Sequence, residues 1–419
     1  MSDNIQLIAD KPVLSTVVLN WNRADLLRTT IESYLRTITT PYELIIVDNA
    51  STDGSRKFIS EICEDRPNHR AIFLSRNSGG EGLNIGLAEC HGLFMHISEN
   101  DLEYLPGWDQ ELLSKFQAFP ELGQLSLFSP FHQVEDGEIW TDKAGVQIKR
   151  EASTIYKALS NVGTSGVIRR DVWDRGVRWQ AHGTESFWSP DDAAFSEAVK
   201  ALGYMVAWND EYVVVNWGHN VLEMSRRLIY YQNNADGKPY LGLTGLRAAL
   251  EEHGYTVLEQ PVGQWAVEQV LPLSQSNAAK RTALWREWMK ELGDAIDELE
   301  QVIPAGGTFL LVDDEQFGLE ILPGRSAIPF ISERGRYWGP PADDAMAISE
   351  IERMNQAGAE YVVFMWPCFW WLEHYSEFRS YLYSRFNVLS ETSRSVVFDL
   401  RKRSIDDSVA IDTSELVAS

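Results

Sequence analysis

Polar side chains able to grip a charged ligand gather at four places in the first quarter of this chain. They are Asn20-Trp21-Asn22-Arg23, Asp48-Asn49-Ala50-Ser51-Thr52-Asp53-Gly54-Ser55, Arg76-Asn77-Ser78-Gly79-Gly80 and Ser98-Glu99-Asn100-Asp101. Taken singly, each reads as a turn or a helix cap. Each, however, closes an apolar run, and four such clusters at four successive run ends point to one shared site. Glu99 and Asp101 flank Asn100. Carboxylates at i and i+2 after a strand can hold one hard divalent cation, Mn2+ or Mg2+, through oxygen, with its other positions left to water and phosphate. Such an ion neutralises a diphosphate leaving group. A second carboxylate pair, Asp191-Asp192, follows Ser189-Pro190 at the head of a helical pattern. There a helix cap is the plain reading.

The elements that must position these residues follow from periodicity. VLSTVVL (13–19), ELIIVDN (43–49), AIFLSRN (71–77) and LFMHIS (93–98) read as strands. LLRTTIESYL, RKFISEICE and GLNIGLAEC read as the intervening helices. This alternation predicts a mostly parallel, doubly wound α/β sheet. In such sheets ligands bind at the carboxyl ends of the strands, where all four clusters lie. SLFSPFHQ and TSGVIRR are short strand candidates, AAFSEAVKALGY (193–204) an amphipathic helix and YVVVNWGH (212–219) a strand. Residues 232–275 show weak periodicity and read as a connection, and 277–302 as one long helix. A second α/β unit follows, with strands at 308–314, 361–366 and 395–401 and helices at DDAMAISEIERMNQAG and FWWLEHYSEFRSYLYSRF. It has no G-x-G-x-x-G after its first strand and is assigned no nucleotide.

Composition sets outer limits. The 419 residues carry 44% hydrophobic and 23% charged residues, enough for two or three packed domains. A net charge of −24 argues against a nucleic-acid polymer or an anionic membrane as partner. One nucleotide in a local pocket remains compatible with it, because backbone N–H groups and a metal supply the positive field. Cys63, Cys90 and Cys368 form no C-x-x-C and read as free thiols of a reducing, cytoplasmic setting. The start MSDNIQLIADKP lacks a signal-peptide pattern, and no apolar stretch reaches the roughly 18 residues of a membrane span. Most of the fifteen Trp are expected to pack in cores.

VVLNWNRADLLRTTIESYL, ELIIVDNASTDGS, RNSGGEGLNIGLAECHG and HISENDLEYLPGW together resemble family 2 glycosyltransferases of the GT-A fold, most nearly the bacterial rhamnosyltransferase-like members. The likeness covers roughly residues 12–220. It implies a GT-A domain over 11–231, a connector with a long amphipathic helix over 232–302, a small C-terminal α/β domain over 303–403 and a flexible tail over 404–419.

The resemblance also implies roles. Asn20, Asn22, Arg23, Asp48, Asn49, Asp53, Asn77, Gly79, Gly80, Asn84 and Asn100 would bind the donor, a UDP-, dTDP- or GDP-sugar. Glu99 and Asp101 stand at the family's Asp-x-Asp motif, with Glu a departure from the usual Asp, and His219 is the third metal candidate. Asp192 would be the general base, with Asp191 beside it, for an inverting transfer of a hexosyl or deoxyhexosyl group. Glycan, lipid-linked and protein acceptors all stay open, as does a homo-oligomer. The alternatives are a degenerate, partner-recruiting nucleotide-sugar binder and a sugar nucleotidyltransferase. The latter wants a Gly-rich loop after the first strand, where Asn20 to Arg23 has no Gly.

Overall fold

The computed structural model describes residues 12–131, 145–184, 187–236, 242–260, 263–272, 275–333 and 336–403. The chain forms two compact units, residues 1–289 and 290–419. The division falls within helix α10 (Asn277–Val302), the span its periodicity predicts.

The N-terminal unit opens β1 (Leu14–Asn20), α1 (Ala24–Thr37), β2 (Tyr42–Asp48), α2 (Ser55–Cys63), β3 (His69–Phe73), α3 (Glu81–Ala88) and β4 (Phe94–Ser98). It continues with β5 (Leu102–Tyr104), α4 (Trp108–Ala118), β6 (Leu122–Ser126), β7 (Gly145–Arg150), β8 (Ser153–Ala158), β9 (Gly166–Arg169) and α5 (Arg170–Asp174). Then come β10 (Ala181–Thr184), β11 (Phe187–Pro190), α6 (Asp192–Ala201), β12 (Met205–Asn209) and β13 (Val214–Asn216). Nine of these strands make one sheet in the order β3-β2-β1-β4-β9-β6-β12-β8-β7. The first four pair in parallel, as the β-α alternation requires. The rest is mixed, because β9 runs against both β4 and β6, and β8 against both β12 and β7. The chain steps outward from β1 to β3 and then returns to β4 on the other side of β1. The switch point therefore lies between β1 and β4, where an open α/β sheet leaves a crevice at its carboxyl edge.

β1 and β2 are buried on both faces, from Leu14, Val17 and Val18 to Leu44, Ile45, Ile46 and Val47. That explains their unbroken apolar runs. Helix α3 lies hard on them. A Cβ at Gly86 would sit 2.5 Å from Val17 Cγ1 and 2.8 Å from Val47 Cγ2, so glycine sets that approach. Trp108, Trp179, Trp208 and Trp371 are core residues, but Trp338 and Trp370 are exposed and others such as Trp173 and Trp265 only partly buried. Full core burial is thus less general among the described tryptophans than the sequence suggests, the large ring being seldom wholly covered.

Residues 232–275, read from sequence as a connection, are more ordered than that. After α7 (Val221–Arg226), α8 (Leu228–Asp236) runs past residue 232, and α9 (Gly242–Glu252) and the hairpin β14 (Tyr255–Glu259)–β15 (Trp265–Gln269) follow. Their core is small: Tyr231, Leu246, Leu250, Tyr255 and Val257 pack with Val221 and Met224. So few apolar positions spread over short elements leave little period to detect.

In the C-terminal unit, β16 (Thr308–Val312), β17 (Ser326–Pro329), β20 (Tyr361–Met365), β21 (Phe386–Glu391) and β22 (Ser395–Arg403) order as β17-β16-β20-β22-β21, with a two-residue ladder β18 (Ser332–Glu333)–β19 (Arg336–Tyr337) beside them. Helices α11 (Asp344–Gln356), α12 (Trp370–His374) and α13 (Ser376–Arg385) match the helical readings. β21 begins at Phe386, the last residue of the stretch read as helix, and otherwise falls in a segment given no element; it pairs antiparallel with β22. The three cysteines are free, with Cys90 and Cys368 buried. Among the described residues, no helix is long and apolar enough to cross a membrane.

One buried polar chain runs under the switch point. His96 on β4 is fully buried. Its Nδ1 stands 3.0 Å from the Gly166 carbonyl and its Nε2 2.7 Å from the Tyr104 hydroxyl. Tyr104 donates to Ser98 Oγ at 2.7 Å, and Ser98 donates to the Glu99 carbonyl at 2.8 Å. Burial drives the His96 pKa down to about 4, against a weaker opposing effect of the Gly166 hydrogen bond. The imidazole is therefore neutral when folded, whereas in the unfolded chain it titrates near its ordinary 6.5. Between those values only the unfolded chain binds the proton. The stability present at neutral pH therefore falls as pH drops from about 6.5 to about 4, by roughly 3 kcal/mol from this one group. Urea titrations at pH 7 and pH 4.5 check this: His96→Gln should flatten the pH dependence, and an unchanged slope contradicts it.

Candidate active site

The site begins with loops that must bury polar groups at the sheet's carboxyl edge. At the end of β1 the backbone turns through two left-handed residues, Asn22 (φ 56) and Arg23 (φ 58). This rare conformation for side-chain-bearing residues is maintained only by its surroundings. Those surroundings are specific. Asn22 N–H donates to Ser51 Oγ at 2.8 Å, and Thr52 N–H donates to Asn22 Oδ1 at 2.9 Å. Asp53 accepts from Ala24 N–H at 2.9 Å and from Ser55 N–H at 2.9 Å. It thus caps α1 from across the loop. Burial alone would raise the Asp53 pKa, but these hydrogen bonds outweigh it and lower it.

Asn20, Asp48 and Asn100 form the buried floor. Asn20 Nδ2 donates to Asp48 Oδ1 and Ser51 Oγ, each at 3.0 Å. Asn100 Nδ2 donates to Asn20 Oδ1 at 2.7 Å and to the Asn22 carbonyl at 3.0 Å. Asp48 is fully buried, and its other oxygen accepts from Ser51 N–H at 3.1 Å and Arg56 Nε at 2.8 Å. It frames the loop rather than facing outward.

Arg23 reaches over this floor. Its Nη1 donates to Asp101 Oδ2 at 2.8 Å and its Nη2 to Asn100 Oδ1 at 2.5 Å. Burial disfavours the charge, but Asp101, followed by Tyr230 and Tyr231, outweighs burial and raises the guanidinium pKa. The guanidinium carbon lies 5.2 Å from the Tyr230 ring centroid, within cation–π reach. The other Asp101 oxygen, Oδ1, is buried with no hydrogen-bond partner, as is the Tyr231 hydroxyl. A carboxylate oxygen left bare in the interior is costly, and a cation there would satisfy it.

β5, which follows Asp101, is held on two sides. It pairs antiparallel with β13. On the other side, the Thr30 and Ser33 hydroxyls of α1 accept from Leu102 N–H and Tyr104 N–H, each at 3.0 Å. Glu99, half-buried, is met from the facing loop by Ser165, whose Oγ donates to Glu99 Oε2 at 3.1 Å. Gly218, next to His219, presses on Asp101: a Cβ there would fall well inside van der Waals contact of its carboxylate. His219 belongs to the turn Trp217–His219, and its side chain lies outside the described residues. No group of three or more His, Cys, Asp or Glu able to hold a metal occurs among the described residues. Sites that bind a nucleotide's divalent cation commonly use one or two carboxylates and take the rest from phosphate and water. The bare Asp101 oxygen fits that donor set.

The third loop joins this floor to the second carboxylate pair. Asn49 Oδ1 accepts from Ser78 N–H at 2.7 Å, and Asn77 Oδ1 from Gly79 N–H at 2.9 Å, with Gly79 at φ 54. At Gly80 a Cβ would lie 2.5 Å from Pro190 Cα and 2.9 Å from the Gln180 carbonyl. Asn84 closes a two-way bond with the Trp179 backbone, at 2.7 and 2.9 Å, so it anchors the segment leading to β10. Asp191 caps α6, its Oδ1 accepting from Ala194 N–H at 2.9 Å, while Asp192 is the helix's first residue and half-buried. Sequence reading passes over Gly218, Tyr230 and Tyr231. A glycine between Trp217 and His219 is a faint signal for the first; the tyrosines, in a stretch given no element, offer none.

Residues 15–176 match the family Glycosyl transferase family 2. With the sheet order and switch point, this gives the N-terminal unit the GT-A fold, followed by a further C-terminal sheet. A Nostoc sp. protein named an uncharacterized glycosyltransferase, alr2836, is 30% identical over 184 residues, which are 40% of this chain and 55% of that protein, so the chain spans about half its length. S. aureus TarS 1–349 is 15% identical with a TM-score of 0.37, covering 57% of this chain and 70% of that one. The mannosyltransferase PcManGT from Pyrobaculum calidifontis, solved with GDP-Man and Mn2+, is 16% identical with a TM-score of 0.37, covering 70% and 88%.

Two substitutions probe the geometry. Asn100→Ala removes the hub and leaves buried partners unpaired, at a cost of roughly 1–3 kcal/mol per orphaned group. Gly218→Ala should destabilise by about 1–3 kcal/mol through overpacking. That cost should shrink in an Asp101→Ala background, where the clashing carboxylate is gone. Urea unfolding of the four proteins in that cycle measures it, and strict additivity would mean Gly218 does not act on Asp101.

Proposed function

We propose that the chain is a glycosyltransferase that moves a sugar from a nucleotide diphosphate to an acceptor hydroxyl. The observation that carries this reading is the convergence at the β1/β4 switch point. A buried floor of Asn20, Asp48 and Asn100 supports a guanidinium and a carboxylate with one bare oxygen. The family match over residues 15–176 supports the reaction class.

In this reading the nucleotide lies over the loops of Asn22, Asp53 and Asn77–Gly80. Mn2+ or Mg2+ would be held by Asp101 and Glu99, and when bound it would supply charge neutralisation at the diphosphate. Asp192 takes the proton from the acceptor hydroxyl as that oxygen bonds to the anomeric carbon. The bond from that carbon to the diphosphate breaks, and the nucleoside diphosphate leaves with inversion. Asp191, committed to capping α6, holds the helix start that presents Asp192. The donor sugar is a hexose or deoxyhexose, and the acceptor a glycan, whether free, lipid-linked or on protein.

A thermal-shift screen of UDP-, GDP- and dTDP-sugars with and without Mn2+ tests the donor site. One nucleotide should raise Tm, by about 3 kcal/mol of stabilisation at a hundredfold excess over Kd. If no nucleotide shifts Tm, the donor reading fails. With that donor, Asp192→Asn should cut kcat by about 10²–10⁴-fold at unchanged nucleotide affinity. Retained turnover removes Asp192 as the base.

A further inference from the structure

We infer that Arg23 is a built-in competitor of the divalent cation: it occupies Asp101 until a nucleotide diphosphate draws the guanidinium away. The inference rests on the metal reading of Asp101 proposed above. Three observations on the structure carry it.

First, Arg23 is committed to the metal-candidate carboxylate itself, donating to Asp101 Oδ2 at 2.8 Å from a side chain only 15% exposed. A divalent ion on Asp101 Oδ1 would face this guanidinium at a few ångströms in a desolvated setting, where like charges repel strongly. Ion and guanidinium therefore disfavour each other while no anion is present.

Second, the commitment is incomplete. Asp101 Oδ1 and Arg23 Nε are both buried without hydrogen-bond partners. Each has capacity for a further ligand of opposite character, a cation at the oxygen and an acceptor at the nitrogen. A metal-bound diphosphate offers both, since its oxygens accept from guanidinium in paired geometry.

Third, the guanidinium has a second seat. It already lies 5.2 Å from the centroid of the Tyr230 ring. Loss of the Asp101 contact leaves this cation–π contact available while the group turns to phosphate. The consequence is coupled binding: the metal binds poorly to the free protein and well once nucleotide is present, and by linkage each raises the other's affinity by the same factor.

Mn2+ binding to the full-length chain, read from loss of the free-ion EPR signal, tests this without any turnover. In the absence of nucleotide, Arg23→Gln should bind Mn2+ at least about tenfold more tightly than wild type, the scale of one lost repulsion. Arg23→Lys, which keeps the charge, should stay near wild type, and Asp101→Asn should abolish the gain in the Arg23→Gln background. Adding UDP, GDP or dTDP should strengthen Mn2+ binding far more in wild type than in Arg23→Gln. Melting curves on every variant verify folding, and Arg23→Lys serves as the charged control if Arg23→Gln is destabilised. If Arg23→Gln binds Mn2+ no better than wild type, while wild type with nucleotide still takes up Mn2+ through Asp101, the competition is overturned and the metal site stands. If no variant takes up Mn2+ under any condition, the metal reading falls and this inference with it.

Discussion

The bond from Asn100 to Asn20 and Asn22 is the constraint on which the site depends. It crosses the switch point, tying the loop after β4 to the loop after β1 through one buried amide whose oxygen also receives Arg23. An amide suits this place because it donates and accepts at once and carries no charge to desolvate. A carboxylate could accept from Arg23 but could not donate to Asn20 and the Asn22 carbonyl. With the two loops locked, Arg23 and Asp101 meet without having to search for each other.

The same economy runs outward. Two hydroxyls of α1, at Thr30 and Ser33, accept the N–H groups of β5 on the side that β13 does not cover. The helix that begins at the site thus also fixes the strand leaving it. Asp53 caps that helix from the second loop. Loops one, two and four therefore form one cross-linked body, and the third joins through Asn49 to Ser78 and through the close approach of Gly80 to Pro190. That approach carries the site's geometry to the start of α6.

Charge is handled locally, despite an overall charge of −24. Arg56 answers Asp48 and Arg23 answers Asp101 at the sheet's carboxyl edge. In the C-terminal unit, Arg394 fans onto Glu291, Asp294 and Glu298.

Sequence alone determined the parallel half of the sheet, its helices and the four polar ends. Strands buried on both faces read as unbroken apolar runs, and amphipathic helices repeat every three or four residues, so both signals are local. The same local signal placed Asn20, Asp48, Asn100 and Asp101 at one edge. It could not show that Asp48 is gripped by Asn20 or that Asn84 faces the Trp179 backbone, because those partners come from distant segments, whereas the cap at Asp191, whose partner Ala194 lies three residues on, was legible. The pairing of the mixed half, though not β9 itself, which TSGVIRR marks, and the small fold over 232–275 escaped it too. There β9 inserts between β4 and β6, and a few buried residues on short elements leave no period. Only the tertiary structure decided that Arg23, 78 residues from Asp101 along the chain, would be its counter-ion, since a left-handed turn after β1 and a strand crossover bring them together.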